Sequence, residues 1–235
     1  MSLMMQIGKS GAKAYQNNVN VVAHNLANVS TNGYKKNYVD FKDLIYMNKQ
    51  LPSVNGTDSN EFFQGSGVRV DGVYEDFSQG SLIETGGTYD YAVSGEGFFA
   101  VYNEASNQML LTRDGSFTLN GNGELVDVNG YKVVTQQSVD VNGEVVNTPL
   151  LYKPDLKANM TKLNGGYYAV NENNLISAAQ QPELFGEINQ GFIEGSNIDM
   201  TDEMTNLMIA QRAYTMSMKA IQTADETLQT VSQLR

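Results

Sequence analysis

Apolar and small residues recur at helical spacing near the start of the chain, at Leu3, Ile7, Gly11, Ala14, Val21, Val22 and Leu26. Positions three and four apart share one face of an α-helix, and no proline interrupts Ser2–Asn28. The spacing therefore predicts a helix, weakened by Gly8, Gly11 and the Asn17–Asn18 pair. It stops in Asn28-Val29-Ser30-Thr31-Asn32-Gly33, where Gly33 or Asn32 can take the left-handed position that ends helices. The other end of the chain carries a stronger signal. Met204, Leu207, Gln211, Tyr214, Met218, Ile221, Asp225, Leu228 and Ser232 alternate spacings of three and four, a heptad register with polar breaks at Gln211, Asp225 and Ser232. Thr201 or Asp199 can cap its start, and Asp202 and Glu203 complement the positive end of the helix dipole. A helix over about 200–233 would run roughly 50 Å at 1.5 Å per residue.

Between these ends the period changes. Seven Asn-Gly dipeptides begin at Asn32, Asn55, Asn120, Asn122, Asn129, Asn142 and Asn164. Asn-Gly accepts positive φ at both turn positions and is a strong hairpin signal. Short β-prone runs surround them: Gly67–Tyr74, Tyr91–Tyr102, Met109–Leu111, Ser116–Leu119, Glu124–Val128, Tyr131–Val134, Gly166–Val170 and Leu175–Ser177. Residues 48–66 read as a long, polar, partly mobile loop. The expected fold class is α+β, with long terminal helices enclosing a central antiparallel β-rich domain. The expected divisions are 1–34 (N-terminal helix), 35–70 (extended connector), 71–190 (β domain) and 191–235 (C-terminal helix).

Composition narrows the function. The 235 residues hold 15 Lys+Arg against 26 Asp+Glu, a net charge of −11. Phosphate binding needs clustered cations, so no nucleic-acid partner is expected. Cys is absent, which removes disulfides, thiolate nucleophiles and cysteine metal sites. Lys9 and Lys13 interrupt any secretory apolar run, and no stretch approaches the ~18 apolar residues of a membrane span. Direct membrane insertion is therefore not expected, and these features alone point to the cytosol.

Each candidate for chemistry has a plainer structural explanation. Gly95-Glu96-Gly97-Phe98-Phe99-Ala100 fits a dinucleotide fingerprint, but a strand-like run follows where a helix N-terminus must face the pyrophosphate. Asn120, Asn122 and Glu124, with Asp127 nearby, imitate a calcium loop with misplaced glycines and no Glu at the twelfth position. Glu75-Asp76, Asp90 and Glu96 could supply a hydrolytic carboxylate pair, but no cleft is evident. His24, the only histidine, lacks an orienting acid and a nucleophile, and reads as a buried or capping residue. Asn28-Val29-Ser30 and Asn159-Met160-Thr161 match the glycosylation acceptor, which carries little weight without a secretory signal. No catalytic, cofactor-binding or metal-binding residue emerges; the expectation is a protein that is not an enzyme and takes no cofactor.

Longer motifs carry a resemblance. Asn25-Leu26-Ala27-Asn28-Val29-Ser30-Thr31-Asn32-Gly33-Tyr34-Lys35 resembles the N-terminal signature of the bacterial flagellar rod and hook family. Glu194-Gly195-Ser196-Asn197-Ile198-Asp199, Ala210-Gln211-Arg212-Ala213-Tyr214 and Lys219–Glu226 resemble its C-terminal signature. In the middle, Asp90–Phe99 and Thr112–Phe117 also match, so the resemblance spans nearly the whole chain in order. His24 and Thr227 depart from the pattern, which has Asn and often Met there. Gly65–Val70 and the segment before it resemble the distal rod position, with a proximal rod or hook-family paralogue as the alternative.

The resemblance implies that the terminal helices pair in a coiled-coil-like inner tubular layer with the β domain outside. It also implies export through the flagellar export apparatus without a cleaved signal, residence in the basal body, and a structural role transmitting torque. Implied partners are further copies of the chain in a helical polymer and other rod and hook proteins. Assembly would rest on the family-motif residues Asn25, Leu26, Ala27, Asn28, Thr31, Gly33, Tyr34, Ser196, Asn197, Gln211, Arg212 and Tyr214, with Met218, Ile221 and Leu228 on the helical stripe. A different class remains open: a secreted binding module whose helices form an oligomerising stalk.

Overall fold

A computed structural model describes residues 3–44, 47–49, 62–104, 106–139, 145–154, 160–170 and 175–233. The fold is α+β: two long helices at the chain ends and a middle of antiparallel strands. The chain divides into two units, one of residues 1–27, 36–76 and 198–235, the other of residues 28–35 and 77–197.

The first unit is built on helix α1 (Leu3–Ala27) and helix α2 (Met200–Gln233). Asp199 caps α2, its side chain accepting from the N–H groups of Thr201 at 2.7 Å and Asp202 at 3.2 Å. The helices pack antiparallel. Gly8 lies against Ile221, where an added Cβ would come within 2.7 Å of Cγ1, and Gly11 lies against Ser217. The glycines that weaken α1 as an isolated helix are thus where α2 approaches most closely. The inward positions of α2 are Glu203, Leu207, Ala210, Tyr214, Ser217, Ile221 and Ala224, all buried or half-buried. The expected stripe shares Leu207, Tyr214 and Ile221 with this face. Its remaining members fall on the exposed side, where Met204, Gln211, Met218 and Asp225 each sit one residue along from the inward Glu203, Ala210, Ser217 and Ala224. Small side chains let the helix backbones approach, and the larger Gln211 and Met218 turn outward.

Also in this unit, Asn37–Asp43 pairs antiparallel with Val68–Glu75, with a register shift between Asp40 and Phe41. The opposing strand fits Asp71 into that shift, where its carboxylate pairs with Lys42 at 2.5 Å. Met47–Lys49 pairs with Phe62–Gln64, so both edges of the expected 48–66 loop are strand; residues 50–61 lie outside the described residues.

The second unit has a nine-stranded antiparallel sheet centred on Phe98–Asn103, which pairs with Gln108–Thr112, Lys132–Val133 and Leu151–Pro154. Successive side chains of a strand point to opposite faces. Phe99 and Val101 accordingly join one core with Tyr91, Phe117, Leu125 and Tyr167, while Phe98 and Ala100 join another with Leu111 and Tyr168. A sheet covered on both faces explains why Phe98-Phe99-Ala100-Val101 is a continuous apolar run. The Gly95–Gly97 segment is a turn between Tyr91–Ser94 and Phe98–Asn103, and no helix follows it, which removes the dinucleotide reading. Asn120–Glu124 is a tight hairpin: Asn120 Oδ1 accepts from the N–H groups of Asn122 and Glu124. Asn55, Asn142 and Asn159 lie outside the described residues. The strands at Glu187–Gln190 and Phe192–Glu194 pair with Tyr91–Ser94 and Leu82–Glu84. They lack the usual alternation: the adjacent Ile188 and Asn189 are the half-buried pair of the first, and the charged Glu194 is the buried residue of the second.

Asp114, in this unit, accepts from the N–H and O–H of Ser116. Burial pushes its carboxyl up, the Ser116 bonds oppose that, and the charges of Asp127 and Asp90 add to the rise. A carboxyl raised on folding makes the native state bind more protons, so its contribution to stability falls as pH rises from about 4 through the folded value. Asp114→Asn keeps the acceptor oxygen and removes the charge. Its Tm relative to the parent is expected to be higher near neutral pH than at about pH 3.5; an equal difference at both would contradict the burial effect.

Candidate assembly surface

In the first unit a polar clamp holds the start of α2 to the end of α1. The Asn25 amide imitates a strand partner: Nδ2 donates to the Asn37 carbonyl at 2.7 Å and Oδ1 accepts from the Asn37 N–H at 3.0 Å. Nδ2 also donates to Glu203 Oε2 at 3.2 Å, and Glu203 Oε1 pairs with Lys36 Nζ at 2.5 Å. Asn25 and Glu203 are fully buried. Glu203 lies in the first turn of α2, where the helix dipole favours a negative charge. The Asp199 carboxyl is held below the usual range by the Asp202 and Thr201 N–H groups, with Lys36 adding to the effect.

In the second unit the buried carboxylate of Glu194 gathers three segments. Oε1 pairs with Lys35 Nζ at 2.7 Å and accepts from the Gly80 N–H at 2.9 Å, while Oε2 pairs with Arg113 Nη1 at 3.1 Å. Lys35 also donates to the Ser78 carbonyl and Arg113 to the Gly95 carbonyl, and the Arg113 guanidinium lies over the Phe98 ring. Lys35 and Glu194 are each 1% exposed. Burying such charges is tolerable only because each meets an opposite charge and further hydrogen bonds.

The motif residues fall around these two clusters. Thr31 closes a turn onto Asn28 through N–H···O=C and side-chain contacts. Gly33 donates its N–H to the Glu194 carbonyl at 2.7 Å with φ of 64°. Its left-handed conformation is as expected, but α1 ends at Ala27, so Gly33 is not the residue that terminates the helix. Tyr34 is buried, accepts from the Asn197 N–H, and lies under the Lys162 ammonium. Asn197 donates to Ser78, and Ser196 is half-buried beside it. Leu26 is half-buried in the last turn of α1, which closes at the exposed Ala27. His24 is also exposed there, which corrects the buried reading and leaves it in the turn where a cation complements the dipole. On α2, Tyr214 and Ile221 face inward, whereas Gln211, Arg212, Met218 and Leu228 are exposed.

Lys35, Arg113, Glu194 and Glu203 escaped the sequence reading as interaction residues. Only Glu194 is a lone charge in an otherwise small or apolar motif; Lys35, Arg113 and Glu203 each sit beside a second charge, Lys36, Asp114 and Asp202, so nothing singled them out. Among the described residues no cluster of three or more His, Asp or Glu could hold a metal ion. The helix pair does carry exposed apolar side chains: Met4 and Ile7 on α1, and Met204, Met208, Ile209, Met216, Leu228 and Val231 on α2.

Residues 5–35 match the family described as flagella basal body rod protein, and residues 189–234 match the C-terminal region of the flagellar basal body rod FlgEFG proteins. The flagellar basal-body rod protein FlgG of Buchnera aphidicola subsp. Baizongia pistaciae is 36% identical, covering 97% of this chain and 98% of the relative. The FlgG of Agrobacterium fabrum is 32% identical over 97% of each.

The chain belongs to the flagellar basal-body rod protein family. It is a structural subunit of the flagellar basal body and not an enzyme. A rod protein named FlgF, from Mesorhizobium japonicum, is similar at 29% identity over 89% of this chain and 88% of its own. No described helix of this rod protein is long and apolar enough to cross a membrane.

Proposed function

We propose that this rod protein is a distal, FlgG-type subunit that polymerises through α1 and α2 into a hollow tube transmitting torque. The observation that carries the reading is the unfinished burial of α2. Of its 34 residues only Glu203, Ala210 and Ala224 are buried, while large apolar side chains line its exposed side. Contiguous exposed apolar surface marks an interface. A repeated contact that does not close on itself gives a filament. In this reading residues 1–34 and 191–235 supply the tube-forming segments, and the helix pair extends into a coiled-coil-like layer shared with neighbouring copies. Other rod and hook subunits meet it at the ends of the polymer. The chain reaches the assembly site through the flagellar export apparatus.

Ile209→Asp tests the reading. Ile209 is 59% exposed, so an aspartate there leaves the monomer folded. In an assembled tube it would bury an unpaired charge. The expected outcome is normal circular dichroism, export into the medium, and loss of motility and of rods in isolated basal bodies. Normal swimming, or an assembly of fixed size that binds a soluble ligand, would contradict the reading and favour an oligomerising stalk.

A further inference from the structure

We infer that the last turns of α2 in one copy seat in an apolar groove on the helix pair of the next, a contact that rests on the rod-subunit reading above. The groove, about 610 Å³, is lined chiefly by Met4, Ile7 and Gly11 of α1, Met216 and Ala220 of α2, and Val68. Its floor is the close helix seam, where Gly8, Gly11, Ser217 and Ala220 carry little side chain. Met4 and Met216 stand at its rim, 58% and 68% exposed.

Exposure and charge select the occupant. Gly8 faces Ile221. Past Ala224, every residue of α2 out to Gln233 is exposed. This uncovered stretch carries Leu228 and Val231. Asp225 and Glu226 stand at its start, so the apolar plug is acidic at its base. Asp43 is the one charged residue in the lining, but the α2 rim of the groove is basic: Arg212 and Lys219, one turn either side of Met216, are the only basic residues of α2. Both are exposed, and neither forms an ion pair among the described residues. An acidic plug meeting a basic-flanked groove favours head-to-tail contact, because groove-to-groove or plug-to-plug pairing sets like charges together. Head-to-tail contact does not close on itself, so it can propagate.

The chain has no cysteine, so introduced thiols report this contact alone. Met216→Cys and Leu228→Cys in one chain lie about 18 Å apart along the helix, well beyond disulfide reach, so any bond between them joins two copies. Oxidised basal bodies carrying the pair are expected to give a ladder of cross-linked multimers, and either single variant no disulfide-linked dimer. Rods that form with the pair but give no ladder would overturn the inference while leaving the rod reading intact; absence of rods from the unmodified chain would instead defeat that reading. A disulfide-linked dimer from Leu228→Cys alone would also overturn it, by showing plug-to-plug contact. If the cysteine pair itself prevents assembly, Lys219→Glu is expected to lower rod number at least tenfold and Asp225→Lys in the same chain to restore it. Failure of that restoration would overturn the inference.

Discussion

Glu194→Gln is expected to destabilise the second unit by about 3–5 kcal/mol, the cost of breaking a buried ion pair by removing one partner. The amide keeps the size of the side chain but leaves Lys35 and Arg113 buried without a counter-charge. Both cations are held in place by carbonyls and cannot swing into water without giving up the Ser78 and Gly95 bonds. Urea unfolding followed by tyrosine circular dichroism measures the loss, since the chain has 13 Tyr and no Trp. The triple replacement Lys35→Met, Arg113→Met, Glu194→Leu should recover much of the stability, because well-packed apolar residues can substitute for a buried ion cluster. A loss below about 1 kcal/mol for Glu194→Gln would place the cluster in a wetter setting than its burial indicates.

Gly33→Ala is expected to be nearly as damaging as Gly33→Val, at about 2–5 kcal/mol. A left-handed residue with a Cβ costs roughly 1–2 kcal/mol, and overpacking adds about 1–3 kcal/mol. The added Cβ would lie 2.6 Å from the Asp114 nitrogen and 2.7 Å from the Arg113 carbonyl carbon, both backbone atoms with little freedom to move. Displacing this segment would also disturb the Gly33 bond to Glu194. The same urea measurement distinguishes causes: were chain direction after α1 the only issue, alanine would be much milder than valine.

Period and turn chemistry made much of this architecture legible. The three-four spacing from Met204 onward and the Asp199 cap predicted α2 over the residues it occupies, and Asn-Gly turns separated the hairpins around Leu119 and Leu125. The helix seam was less legible because large apolar residues dominate a helical pattern, whereas close approach is made by Gly8, Gly11, Ala210 and Ser217. The large residues left over mark the outside of the pair. The charge cluster was hidden for another reason: Lys35, Arg113 and Glu194 are 78 and 81 positions apart along the chain, and nothing local announces that they meet. The family motifs contained all three, but a motif does not say which of its members are buried.

The central claim is that neighbouring copies cover the exposed side of the helix pair in the rod. Single cysteines at Ile209 and, in the second unit, at Val128 test it most directly, because both positions are exposed in the monomer and the chain has no other thiol. Maleimide labelling is measured on the monomer and on isolated basal bodies. The account predicts that Ile209→Cys labels readily in the monomer and is protected in the assembled rod. Equal labelling of Ile209→Cys in both states, with Val128→Cys confirming that the reagent reaches the rod, would contradict it.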